Sequence, residues 1–307
     1  MAVLTLSPKE FLQKHIVEGI ANQKFEEKLN FVNLFDIVPT DATAVSYSQD
    51  TTSTADDINS GVMGKPLDLS ELSELPTIEV TAINQKHGML NQFGMQIKVS
   101  ERDIQRSDVI DDLNRAVNRG TYAMASKKND DILATLKATA NDITEVSGYK
   151  VWSDDEATPI NDIITFKNKM KLPGYEYKLT DLFVHIDNFN ELEQYMVGVD
   201  KTWNETPIGP DGEYMAPQVR GVNIHEANST EIAEGSYLGI DGRAGYQPMT
   251  IYAYRNPKYA NAATFPIINV NQYTEEKHPH NIVTEFIAET FDAVKAPNAL
   301  TYKSSGI

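Results

Sequence analysis

Between residues 89 and 140 the hydrophobic pattern changes period once, and the rest of the chain is read around that change. Phe93, Met95, Ile97 and Val99 alternate with Gly94, Gln96 and Lys98, which is the pattern of a half-buried strand. Ser100 then offers a helix cap. Its hydroxyl can accept from the Asp103 N–H, and the Asp103 carboxylate can reach back, with Val99 and Ile104 at the staple positions. Past a turn through Ser107, the carboxylates of Asp108, Asp111 and Asp112 suit the start of a second helix. Val109, Leu113, Ala116, Val117, Gly120, Met124, Ile132, Leu133 and Leu136 recur mostly at helical spacing, which predicts one buried face. Unbroken from 108 to 140, the helix would be roughly 50 Å long at ~1.5 Å per residue. It is either an ordinary core helix or a brace for an elongated molecule or long interface. Gly120, about 1 kcal/mol worse than Ala in a helix, marks close packing or a bend.

In chain order, Ser7, Pro8 and Glu10 form a helix start, with Leu6 and Phe11 as staple. The helix that follows turns Leu12, Ile16 and Ile20 to one face, which docks on its own domain or on a neighbouring copy. Residues 31–38 are apolar and extended, closed by Pro39. From 41 to 73, Ser, Thr, Asp and Gly dominate, and such a stretch has little to bury. With a strand at Ile78, Val80 and Ala82 and another at 93–99, it reads as a protruding β-loop, with disorder as the competing reading. Residues 141–157 read as a polar connector. Thr158 and Pro159 start a helix with Ile160, Ile163, Ile164 and Met170 on its apolar side, ended by Pro173 and Gly174. A buried strand is predicted at 182–186. Asp187 then caps a short helix carrying Phe189, Leu192, Tyr195 and Met196. Residues 199–216 are loop-like, with turn chemistry at 209–212. Short strands follow at 219–224, 237–240 and 249–254. Apolar runs around Ile282, Phe286 and Ile287 and at 291–294 come before Pro297 and Leu300. There is no internal repeat and no domain linker, and the expected fold class is α+β.

Composition narrows the function. The 307 residues are 41% hydrophobic, enough for a sizeable core, and carry a formal charge of −17. That balance argues against a groove built to neutralise phosphates and against an anionic membrane surface. The absence of cysteine excludes disulfides, thiolate metal sites and cysteine nucleophiles. No apolar run approaches the ~20 residues of a membrane span. The first residues lack the basic region and apolar core of a signal peptide, so a soluble, non-secreted chain is expected. Gly239, Gly242 and Gly245 miss the dinucleotide spacing, residues 61–66 miss the P-loop, and neither His-Glu-x-x-His nor Gly-x-Ser-x-Gly occurs. His278 and His280 could ligate a metal and Asp154, Asp155 and Glu156 a cation, but solvated loops are the preferred readings. His185 reads as a hydrogen-bonded core histidine, and Lys127 with Asp131 as a surface pair. No catalytic, cofactor-binding or metal site is predicted, and no enzyme; an α/β enzyme with an unrecognised site stands as the alternative from another class. A terminal arm, a long polar excursion and a brace helix are features through which copies can reach one another.

Taken in order, these motifs resemble the major capsid proteins of tailed bacteriophages, with the Hong Kong 97-type fold. Residues 57–66, with Asp57, Ile58, Val62, Met63 and Lys65, are similar to the family's extended loop tip. Residues 78–99, followed by Ser100, Glu101, Arg102, Asp103, Ile104 and then Ser107, Asp108 and Val109, resemble its paired strands, helix entry and spine helix. Asp130, Asp131, Ile132 and Leu133 resemble the acidic end of that spine. Residues 182–195 resemble the peripheral domain, 219–224 and 237–241 strands of the axial domain, and 289–300 the closing strand. The resemblance implies an N-terminal arm at 1–40, an extended β-loop and its strands at 41–99, a peripheral domain with the spine at 100–198, an axial domain at 199–280 and closing strands at 281–307. It implies pentamers and hexamers of an icosahedral virion shell, assembled in a host cytoplasm around packaged double-stranded DNA that is enclosed without specific binding. Intersubunit contacts are expected at Phe11, Leu12, Ile16, Asp57, Ile58, Val62, Met63 and Lys65. Partners would be other copies, a separate scaffolding protein, a portal and decoration proteins, with no membrane and no cofactor. An encapsulin-like compartment shell is the alternative on the same fold.

Overall fold

The structure is a computed structural model. It describes residues 14–29, 35–50, 83–100, 109–142, 152, 154, 156–171, 177–199, 218–227, 232–254, 268–274 and 281–303. The described elements begin with helix α1 (Lys14–Lys28) and strands β1 (Asp36–Thr40), β2 (Ala44–Asp50), β3 (Ile83–Met89) and β4 (Asn91–Ser100). Helix α2 (Val109–Thr139), β5 (Asn141–Asp142), α3 (Pro159–Met170), β6 (Asp181–His185) and α4 (Ile186–Val199) follow. The rest are β7 (Gln218–Val219), β8 (Val222–Ala227), β9 (Tyr237–Ile240), β10 (Met249–Tyr254), β11 (Ile268–Thr274), β12 (Asn281–Val294), a 3-10 turn (Pro297–Ala299) and β13 (Leu300–Lys303). Contacts divide the chain into one unit of residues 1–46, 87–132 and 250–293 and another of 47–86, 133–249 and 294–307.

The first unit is built on a five-stranded sheet ordered β1-β10-β12-β11, with β4 also on β12. The 14-residue β12 is long enough to serve several partners. It runs antiparallel to β11 from Ile268↔Ala288 to Thr274↔Ile282, and to β4 from Ser100↔Asn281 to Asn91↔Thr290. On β4 the predicted alternation is present: Phe93, Met95, Ile97 and Val99 are half-buried and Gly94, Gln96 and Lys98 exposed. The strand at 31–38 is shifted. β1 starts at Asp36 and continues through Pro39 to Thr40, parallel to β10. Proline does not stop it because β1 is an edge strand, where the missing N–H breaks no ladder bond.

Helix α2 has 31 residues, ~46 Å at ~1.5 Å per residue. Of its predicted stripe, Val117, Gly120, Met124, Ile132, Leu133 and Leu136 are buried and Ala116 is half-buried. Val109 and Leu113 have side chains outside the description. Gly120 marks close packing, since a Cβ there would lie 1.9 Å from Met95 Sδ. Helix α1 docks within its own unit. Val17, Ala21 and Phe25, fully buried at helical spacing, join Val117, Met124, Ala125, Ile268, Val270 and Phe286 in one core.

The second unit is built on a six-stranded sheet ordered β5-β13-β9-β6-β8-β7. β5 on β13 and β6 on β8 are parallel, the other pairs antiparallel. Its core gathers Ile163, Phe166, Met170, Leu182, Val184, Leu192 and Ile224. Here several expectations are corrected. The connector at 141–157 contains β5 and the buried Trp152, whose ring centroid lies 4.5 Å from that of Tyr237. Thr158 makes no side-chain cap bond to α3. Phe166 completes the buried face of α3, while Ile164 is exposed. The helix ends at Met170, before Pro173, with the Lys171 N–H donating to the Asn168 carbonyl. Helix α4 opens at Ile186, so Asp187 lies in its first turn and not at its cap. Residues 219–224 form a hairpin and not one strand. Arg220 and Gly221, at φ 53 and 76, make its two-residue loop, and positive φ at both positions is the turn whose twist suits a hairpin.

β2 and β3, which flank the polar excursion, pair in a two-stranded sheet. Ser46 Oγ lies 2.7 Å from His87 Nδ1, and the Leu90 N–H donates to the Thr43 carbonyl at 3.1 Å. The predicted helix start at 7–13, the strand at 78–82, the helix entry at 101–108 and the turn at 209–212 lie outside the described residues.

Candidate functional site

Buried charge is where a fold commits its polar chemistry, and each unit holds some. In the first unit Lys128 projects from α2 on the same stripe as Met124, one turn on, and is 3% exposed. Its ammonium donates to Thr290 Oγ1 at 2.9 Å and to the Asp292 carboxylate, both on β12. Burial raises the Asp292 pKa. Lys128 opposes that effect and the charge of Asp131 adds to it. Both partners are enclosed, so the pair ties helix to strand and offers no open position to a substrate.

In the second unit the parallel register of β6 and β8 sets Asp181 opposite Asn223. The Asp181 carboxylate accepts from Thr180 Oγ1 at 2.6 Å and Asn223 Nδ2 at 3.0 Å, and lies 2.8 Å from His225 Nε2. Burial works to raise its pKa. The hydrogen bonds from His225, Thr180 and Asn223 outweigh burial, and the pKa is lowered. A hydroxyl, an imidazole and a carboxylate thus meet, but in the wrong order for nucleophilic catalysis. That chemistry needs the imidazole in the middle to take the hydroxyl proton, and here the carboxylate stands there. The His225 ring stacks on Phe183, centroids 4.9 Å apart. Nearby in sequence to β9, the fully buried Asp241 accepts from Arg243 Nε at 2.9 Å and Nη2 at 2.7 Å and from the Lys178 N–H at 2.9 Å. Arg243 lies over the Tyr246 ring, 4.2 Å from its centroid. These are closed clamps on the loops that flank β6 and β9.

His185 ends β6 partly exposed, its Nδ1 accepting from the Asp187 N–H at 3.3 Å, so it is not a core histidine. Lys127 and Asp131 pair at 3.1 Å on the surface, as predicted. The Asp154 carboxylate accepts from the Glu156 N–H at 3.0 Å, closing an acidic turn. Gly239 packs tightly in β9, where a Cβ would lie 2.5 Å from Leu179 Cδ1. His278, His280, Asp155, Phe11, Leu12, Asp57, Ile58, Val62, Met63, Lys65 and the side chain of Ile16 lie outside the described residues. Sequence reasoning missed Lys128, Asp181, Asp241 and Asp292. A lysine on the apolar stripe of α2 was the available signal for the first. Among the described residues, no group of three or more His, Asp or Glu could hold a metal ion, and no helix is long and apolar enough to cross a membrane.

Solved shell proteins share this arrangement of two mixed sheets and one long helix. A virus-like particle from Pyrococcus furiosus matches with a TM-score of 0.57 at 6% identity, over 95% of this chain and 99% of that one. An encapsulin complex from Synechococcus elongatus matches at 0.57 and 12% identity, over 90% and 86%. The capsid of Cyanophage P-SCSP1u matches at 0.54 and 11% identity, over 90% and 88%. At such identities the likeness is one of fold, an α+β fold. No curated protein matches the sequence. A family described as phage capsid protein matches residues 85–276, more than half of the chain. The chain belongs to that family.

Proposed function

We propose that this chain is the major capsid protein of a tailed bacteriophage, assembling as pentamers and hexamers into an icosahedral virion shell around packaged double-stranded DNA. The capsid-family match over residues 85–276 carries this reading, and the 31-residue α2 supports it as the spine. In this reading residues 1–40 are the arm, 41–99 the extended β-loop and its strands, 100–198 the peripheral domain, 199–280 the axial domain and 281–307 the closing strands. Phe11, Leu12 and Ile16 of the arm, and Asp57, Ile58, Val62, Met63 and Lys65 of the loop tip, contact neighbouring subunits. A separate scaffolding protein, a portal and decoration proteins are the partners, and the shell forms in the host cytoplasm. With a formal charge of −17, a shell lining that does not grip phosphates lets DNA be packed and released.

The encapsulin likeness, with the same TM-score as the virus-like particle, favours a second reading on the same fold: a compartment shell around protein cargo. Negative-stain electron microscopy with sedimentation velocity tests both. Closed shells, or rings of five and six, are expected. Nucleic acid inside supports the virion, a co-purifying enzyme the compartment. A discrete dimer or tetramer that does not grow with concentration, with or without a scaffolding partner, overturns both.

A further inference from the structure

The edge of the first unit's sheet shows an arrangement that packing alone does not require. β11 is the last strand in its order, and a last strand leaves one row of peptide groups without a ladder. On β11 that row includes Ile268 and Val270, whose N–H groups point away from β12, while Asn269 and Asn271 alternate with them and turn toward β12. Helix α1 lies against this row. Asn22 accepts the Ile268 N–H on Oδ1 at 2.8 Å and donates from Nδ2 to the carbonyl of the same residue at 2.9 Å. Its carboxamide therefore does for Ile268 what a peptide group of a further strand would do. One turn earlier, Glu18 Oε1 accepts the Val270 N–H at 3.3 Å. The second amide hydrogen of Asn22 goes to the Glu18 carbonyl at 2.9 Å, which holds the side chain in place. Asn22 and Glu18 are 6% and 7% exposed, so water does not compete for these bonds.

We infer that α1 is an edge cap: Asn22 and Glu18 stand in for a further strand on β11 and keep that edge from pairing with an extended segment of a second copy of this chain. The bonding pattern fixes the kind of partner. A strand laid along β11 would meet the same N–H and C=O groups that Asn22 and Glu18 now hold. The cap keeps that pairing from competing with whatever association the chain performs, so the inference stands apart from the shell reading.

Hydrogen exchange and one double variant test it. In the wild-type chain the Ile268 and Val270 amides are expected to exchange as slowly as the inward amides of Asn269 and Asn271. Asn22→Leu speeds exchange at Ile268 by at least about tenfold and leaves Asn269 and Asn271 unchanged. Fast exchange at Ile268 in the wild type, or equal acceleration of all four amides in the variant, overturns the cap. The variant N22L/E18L is expected to form thioflavin-positive material with the infrared signature of intermolecular β-structure. Adding Asn271→Lys, a charge on the exposed edge strand, is expected to suppress that material. A double variant that stays as dispersed as the wild type, or that aggregates regardless of Asn271→Lys, also overturns the inference.

Discussion

Asp162 and Asp181 are both nearly enclosed carboxylates of the second unit, and their surroundings move them in opposite directions. Asp162, in the first turn of α3, accepts from the Trp152 indole at 3.0 Å. Burial raises its pKa above the ordinary 3.8, and neither that bond nor the charge of Lys303 reverses the effect. A carboxyl with a raised folded-state pKa contributes most below 3.8 and loses that contribution as pH rises through its folded value. Asp162→Asn keeps an acceptor for Trp152 and cannot ionise. Its urea midpoint is therefore expected to exceed that of the wild type at pH 7, with the difference vanishing below pH 3.8. A lower midpoint at pH 7 would show that Lys303 depends on the charge. Asp181 has the opposite sign. Its lowered pKa gives stability that is present above 3.8 and lost as pH falls through the folded value. Asp181→Asn turns an amide donor toward three donors and should cost about 1.5–3 kcal/mol at pH 7, read from the same denaturation curves. Neither sign was legible in sequence. Trp152 read as part of a polar connector, and Asp181 gains its partners only through the β6–β8 register.

Long periodic runs declared themselves; short strands did not. α2 and β4 repeat their period often enough to fix both element and face. β5 and β7, of two residues each, exist because β13 and β8 present an open edge, and nothing local encodes that. β12 was read as separate apolar runs because its buried register alternates chemistry: Thr284, Phe286, Ala288 and Thr290 are all enclosed, so two of the four core positions look polar. The glycines of these long elements separate two kinds of close approach. At Gly94 a Cβ would lie 2.3 Å from the Phe286 carbonyl oxygen, part of the β4–β12 ladder. At Gly120 it would meet the end of the Met95 side chain, which can rotate away. Gly94→Ala is expected to cost about 1–3 kcal/mol through ladder distortion. Gly120→Ala regains about 1 kcal/mol of helix propensity against the shift of Met95 and should fall near neutral. Thermal melts of the two variants check the order, and a Gly120→Ala cost equal to that of Gly94→Ala would mean that Met95 is locked.

At the scale of the molecule, the proposed function has folding and association draw on different stretches of chain. Both cores are assembled from helices and strands that bury apolar faces, and their periodicity made the fold class readable. Association has no comparable period. It was approached through composition, in the run of Ser, Thr, Asp and Gly that has too little apolar surface to fold on its own, and through resemblance. β2 and β3 pair at the two ends of that excursion, so the rest of the chain does not need its length. Deleting residues 50–65 roughly halves the β2–β3 connection, and halving a loop changes its closure entropy by only about 0.6 kcal/mol. The shortened chain should therefore keep its far-ultraviolet circular dichroism and melt within a few degrees of the full one, which is about what 0.6 kcal/mol is worth. If residues 57–66 reach a neighbouring subunit, the same deletion removes Asp57, Ile58, Val62, Met63 and Lys65 together, and the folded chain should no longer form shells under the electron microscope. Shells of normal size from the deleted chain would refute the role given to the loop. A chain that no longer folds would place the excursion inside the core and refute it equally.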